Sequence, residues 1–185
     1  MITGPGADKD GTHKDGTHKD GTHKDGTHKD GTHKDGANQD GANQDGPNKH
    51  GGNKDLVRAF ITAWNDRDFG RFDDLMGAGA VLHVGDAAVS CDPAGTRAIA
   101  EQWTTAFPDW RFDLLSLVAE GDRVAAHLPY SGTFTKPILG VAPTGRFARV
   151  DEMVIFRIAG GRIAEAWEVY DECGMWRQLG ASPPR

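Results

Sequence analysis

Apolar residues recur every fourth position at Leu56, Phe60 and Trp64, with Ala59 and Ala63 beside them, a spacing that predicts an amphipathic helix over 55–67. Phe69 to Met76 continues as a short second helix, broken by Gly77-Ala78-Gly79. Val81 to Val84 is a short strand, and 95–107 is helical up to Pro108, which stops it. The period then changes to two. Residues 111–120, 123–134, 147–159 and 162–170 read as strands, joined at Glu120-Gly121-Asp122 and at Gly160-Gly161. Helices first and an antiparallel sheet afterwards define an α+β class, distinct from a doubly wound fold.

Before Leu56 the pattern is of another kind. The pentad THKDG is repeated five times without error over 12–36, preceded by ADKDG and followed by ANQDG twice, PNKHG and GNKDL. Between Ala7 and Ala42 no apolar residue is larger than alanine, so a stacked solenoid has nothing to bury between its repeats. Ordering the backbone costs about 1–2 kcal/mol per residue with no burial to offset it, and residues 1–54 are expected to be a disordered low-complexity tail. The folded domain is expected over 55–185, long enough for one core of its own.

Charge and cysteine use narrow the partners. Eight Lys face nine Asp in the tail, so it is neither a basic arm for nucleic acid nor an acidic brush. Beyond residue 54 lie 13 of the 21 Lys and Arg and 18 of the 27 Asp and Glu, a net charge of −5. The five THKDG histidines, at 13, 18, 23, 28 and 33, match no closed metal site, and the Asp-Lys-Asp-Gly opening lacks the glycine and glutamate positions of a calcium loop, so no metal is expected. Cys91 and Cys173 have no paired spacing, and there is neither an export signal nor a run of apolar residues long enough to span a bilayer; a cytoplasmic location without membrane contact is expected. Asp-Gly occurs eight times among the pentads, a chemically soft exposed unit that would suit a peptide-modifying partner enzyme.

The order Phe107-Pro108-Asp109, Glu120-Gly121-Asp122-Arg123-Val124, Tyr130-Ser131-Gly132-Thr133 and Gly140-Val141-Ala142-Pro143-Thr144-Gly145-Arg146, closing with Gly161-Arg162-Ile163-Ala164-Glu165-Ala166-Trp167-Glu168-Val169-Tyr170-Asp171 and Arg177-Gln178-Leu179-Gly180, resembles the SnoaL-like polyketide cyclases. The resemblance spans 55–181 and none of the tail. It implies the cone-shaped fold of nuclear-transport-factor-2-like proteins, in which a strongly bent antiparallel sheet and the early helices enclose a pocket. It also implies ring closure by an intramolecular aldol reaction with neither metal nor cofactor. The family's acidic residue, an aspartate, falls at Glu168, and a polar family position falls at His83. Phe134, Val154 and Ala166 stand where family members often carry histidine, which makes this pocket more apolar.

Strand parity predicts the pocket's contents. Ala164, Ala166, Glu168 and Tyr170 share one face of the last strand; Ile163, Glu165, Trp167 and Val169 share the other. Glu152, Val154, Phe156 and Ile158 share a face of the strand before it, and pairing would bring Glu152 near Glu168. Burial and like charge both disfavour ionisation of two such carboxyls, a means of keeping a general acid/base near neutral pH. Catalytic candidates are therefore Glu168, Glu152 and His83. Trp103, Phe107, Tyr130, Phe134, Val154, Ala166 and Tyr170 are candidate pocket walls; Asp171 either faces the ligand or caps a C-terminal helix that Trp176 anchors. Three functions follow: an acid/base enzyme on a small apolar metabolite, a recognition domain of a precursor whose pentads are modified, or a small-ligand binder. Ile163, Trp167 and Val169 on the outer face predict a homo-oligomer.

Overall fold

The computed structural model describes residues 47–85 and 87–184; the pentads before Pro47, and the expectation of disorder attached to them, lie outside the described residues. Helix α1 runs Pro47–Asp66, beginning well before the expected boundary at 55. Once the apolar stripe from Leu56 to Trp64 packs, propagation adds one backbone hydrogen bond per residue, and a proline at the first position removes only an N–H that has no helical partner. The last repeat unit touches the domain, because the Asn53 amide donates to the Gly121 carbonyl at 3.3 Å.

A 3₁₀ turn at Phe69–Arg71 leads into α2, Phe72–Leu75. Strand β1 then occupies Met76–Val84, so Gly77-Ala78-Gly79 is strand and not a simple break. Its register against the last strand shifts between Met76 and Val81, a bulge that the small residues accommodate. Strand β2, Ala87–Ser90, has no expected counterpart. Helix α3 spans Pro93–Ala106, capped by the Asp92 carboxylate, which accepts from the Gly95 N–H at 2.7 Å.

Three of the four strands expected after Pro108 are real but folded. They divide into β3 (Arg111–Phe112) and β4 (Ser116–Glu120), β5 (Arg123–His127) and β6 (Tyr130–Thr133), and β7 (Phe147–Val150) and β8 (Glu152–Ala159). Strand β9 runs Arg162–Tyr170 and helix α4 Glu172–Leu179. One sheet has the order β2-β1-β9-β8-β5-β4, the other β3-β6-β7. All three breaks lie side by side. The Asp113 N–H donates to the Pro129 carbonyl at 2.8 Å and the Leu128 N–H to the Glu152 carbonyl at 2.9 Å, so the chains turn the corner together. Pro129 has no N–H and suits a place where the ladder is interrupted. The sheet is mixed, since β1 and β9 run parallel, whereas an antiparallel sheet was expected.

The inner face of the large sheet packs on α1, α2 and α3 around Val57, Phe72, Val124 and Phe156. Beyond the corner, a second core joins Phe107, Tyr130, Phe134, Met175, Trp176 and Leu179. Gly132 allows close packing there, because a Cβ at that position would lie 3.1 Å from the Phe107 Cβ and force that side chain to give.

Candidate active site

Glu152 is the first residue of β8, immediately past the corner, and points inward with Val154, Phe156 and Ile158, as parity predicts. In the β8–β9 ladder Glu152 faces Tyr170 and Val154 faces Glu168. The two glutamates are therefore diagonal neighbours on one sheet face. Both line a cavity of about 300 Å³, enclosed by α1, α3 and the concave side of the sheet.

The wall is apolar and aromatic. Of the expected lining residues, Trp103, Tyr130, Val154, Ala166 and Tyr170 are present. Trp110 stacks on Tyr130 with ring centres 4.4 Å apart, and Tyr170 meets Tyr130 at 6.1 Å. Burial raises the pKa of both carboxyls. Glu168 is pushed up to about 7 by desolvation. Glu152, only 5 % exposed, is raised well above the ordinary carboxylate value by desolvation first and by the charge of Glu168 second. The pair is thus poised to hold a proton at neutral pH.

Four expected residues belong elsewhere. His83 faces out of the cavity: it pairs with Trp167 across β1–β9, one residue out of phase with Glu168, which pairs with Val84. Its Nε2 meets the Glu165 carboxylate at 2.8 Å, and its ring stacks on Trp167 at 5.2 Å. Arg157 donates to the other oxygen of Glu165 at 2.9 Å, and these two bonds, Arg157's first, hold the Glu165 pKa low. Phe107 and Phe134 stack on each other at 5.2 Å inside the second core, where Phe134 also meets Trp176. Asp171 is the cap of α4, accepting from the Gly174 N–H at 2.8 Å.

Parity also misplaces Ile163. Ile158 pairs with Ile163 but Arg157 pairs with Glu165, so Ala164 is a bulged extra residue and everything before it changes face. Ile163 is buried at the cavity rather than exposed on the outer sheet.

Several cavity residues were not anticipated. Cys91 lies between β2 and α3, and its thiol is 3.0 Å from the Thr96 hydroxyl. That hydroxyl also lies 3.0 Å from the Cys91 carbonyl, to which it donates, leaving the thiol to donate to Thr96. Burial pushes the thiol pKa up, and the charge of Glu168 adds to the effect. Because β2 carries no periodic signal, nothing in the sequence indicates that Cys91 and Thr96 reach the cavity. Trp64 contributes another wall; its spacing marks it as helical core without showing the void beside it. Among the described residues no group of three His, Cys, Asp or Glu side chains is arranged to hold a metal ion.

A bent mixed sheet closed by helices over one apolar, acidic cavity defines a cone-shaped α+β ligand-cavity fold. Residues 54–179 match the family model of the SnoaL-like polyketide cyclases, and the chain belongs to that family. Among solved structures it is similar to AclR of Streptomyces galilaeus, described as a candidate hydroxylase, at 28 % identity and TM-score 0.64, covering 72 % of this chain and 99 % of that one. It is similar to IdmH of Streptomyces antibioticus, described as a candidate polyketide cyclase, at 29 % identity and TM-score 0.60, covering 70 % and 99 %. TsrD of Streptomyces laurentii is 32 % identical with TM-score 0.64, covering 71 % and 97 %. None of the curated proteins matches the chain.

Proposed function

We propose that the domain is an acid/base enzyme that needs no cofactor and acts on a small apolar metabolite, with Glu168 as the proton-transferring residue. The observation that carries this reading is the pair of carboxyls in an apolar cavity with a raised proton affinity. In its ionised form Glu168 removes a proton from a carbon next to a carbonyl. The electron pair of the broken C–H bond becomes an enolate, whose carbon attacks a second carbonyl of the same molecule and closes a ring. The new alkoxide takes up a proton, for which neutral Glu152 is the nearby donor. If the acceptor carbonyl is out of reach, the same proton returns at another carbon and the reaction is an isomerisation. Family membership favours the ring closure, and with Phe134, Val154 and Ala166 in place of histidine the two glutamates are the groups this reading relies on for proton transfer.

Aromatic β-keto esters in deuterated buffer provide the test, with α-proton exchange and ring closure followed by NMR. The parent chain is expected to exceed the uncatalysed rate and Glu168→Gln to lose roughly 10²–10⁴ of that excess. If Glu168→Gln matches the parent on a substrate that the parent turns over, the binding-only reading replaces this one.

A further inference from the structure

The cavity is electrically one-sided. Two carboxyls line it, and among its described lining residues there is no lysine, arginine or histidine. Glu152 is nine-tenths buried there, and neither a cation nor a hydrogen-bond donor offsets its desolvation. Part of the remaining wall is aromatic. Trp103 packs against Trp110 at 5.3 Å, and Trp110 against Tyr130 at 4.4 Å. A cation seated over an exposed ring face would be attracted by the ring quadrupole, as it is by the carboxyls. An anionic ligand would meet the charge of the pair when it is ionised, whereas a cationic one would offset it.

We propose that the natural ligand carries one cationic centre, a protonated or quaternary amine on an otherwise apolar body, seated between the Glu152–Glu168 pair and the wall of Trp103, Trp110 and Tyr130. This names the substrate class for the reading above and rests on it only in taking the cavity as the ligand site, not in the proton transfer. The cation takes the place of the Glu168 proton, and Glu152 keeps its own. Its binding therefore expels a proton, and the charge inside the cavity is conserved. The other titratable groups facing the pair are Cys91 before α3, Tyr130 on β6 and Tyr170 on β9, with Glu172 of α4 acting on the tyrosines. Burial raises the thiol and both phenols, so they stay neutral while the carboxyls titrate. From α1 and α3 the cavity receives only uncharged side chains, such as Phe60, Ile99 and Gln102.

The probes are choline and its uncharged carbon isostere, in which a tert-butyl group replaces trimethylammonium. Calorimetry on the full chain, in two buffers of different ionisation heat, reads affinity and proton release together. Choline is expected to bind at least about tenfold more tightly than the isostere and to tighten from about pH 6 to about pH 8, releasing a proton, while the isostere shows neither effect. The double variant Glu152→Gln with Glu168→Gln, checked for folding by its melting curve, should lose the preference. The parent comparison stands even if that variant fails to fold. Equal affinities, or choline binding without proton release, overturn the inference. An isostere that binds as well as choline and competes with the β-keto esters overturns the cation alone and leaves the acid/base reading standing. Absence of binding by both probes overturns the inference too, and continued turnover of the β-keto esters would then keep the acid/base reading apart from it.

Discussion

Glu168→Gln keeps the shape of the side chain and removes its titration, so it separates proton transfer from packing. Beyond the loss of turnover, it is expected to change how stability depends on pH. Both carboxyls have folded pKa values above the unfolded one, so the native state binds more protons than the unfolded chain. Stability is then highest below about pH 4.5 and falls as the pH rises, the Glu168 contribution being lost by about pH 7 and that of Glu152 as its own raised pKa is passed. Melting curves from about pH 4 to about pH 8 should show that decline in the parent and a flatter profile in Glu168→Gln. The variant should be the more stable of the two at about pH 8, by on the order of 1–3 kcal/mol. A parent profile that rises over the same range would contradict it. Glu168 and Glu152 were both legible in the sequence, because a strand's two-residue period assigns faces without knowledge of the bend. His83 was not, because its face depends on the register of the parallel β1–β9 pair, which no local pattern encodes.

At the scale of elements, what escaped the sequence was where strands bend, pair in parallel or bulge. The apolar alternation runs on through 111–120, 123–134 and 147–159, but each is cut at the same level by the corner, with Pro129 its only local mark. The bulge at Ala164 moved Ile163 from the outer face to the cavity for a similar reason: one extra residue is invisible to a period count. Helix ends were clearer. Asp171 was either a cap or a ligand contact, and the structure assigns it to the first turn of α4. Asp171→Ala should therefore cost about 0.5–2 kcal/mol in denaturant unfolding and leave turnover per folded molecule unchanged. A selective loss of turnover at full stability would return Asp171 to the site.

For the molecule as a whole, self-association through the outer sheet remains a proposal. Val118, Ala125, Ile155, Trp167, His83 and Ala88 form one continuous row across all six strands of the large sheet. Val118 and Val169 are 67 % and 72 % exposed, and Arg123 lies over Trp167 at 5.0 Å. A like face on a second copy would cover these apolar residues and meet the Arg157 and Glu165 pairs at its margin. Light scattering is expected to give a mass above that of one chain at tens of micromolar, and Val169→Lys with Ile155→Lys to reduce it to one; a monomeric parent would end the proposal. That the cavity holds a glutamate pair with raised proton affinity can be read without any substrate. Carbon-13 NMR of the glutamate carboxyls in the full chain, assigned by Glu152→Gln and Glu168→Gln, follows each titration directly. The Glu168 signal is expected to titrate near pH 7, with a coupled second step for Glu152 also well above the ordinary value. Titration of both near about 4.3, as for solvated glutamates, would contradict the claim.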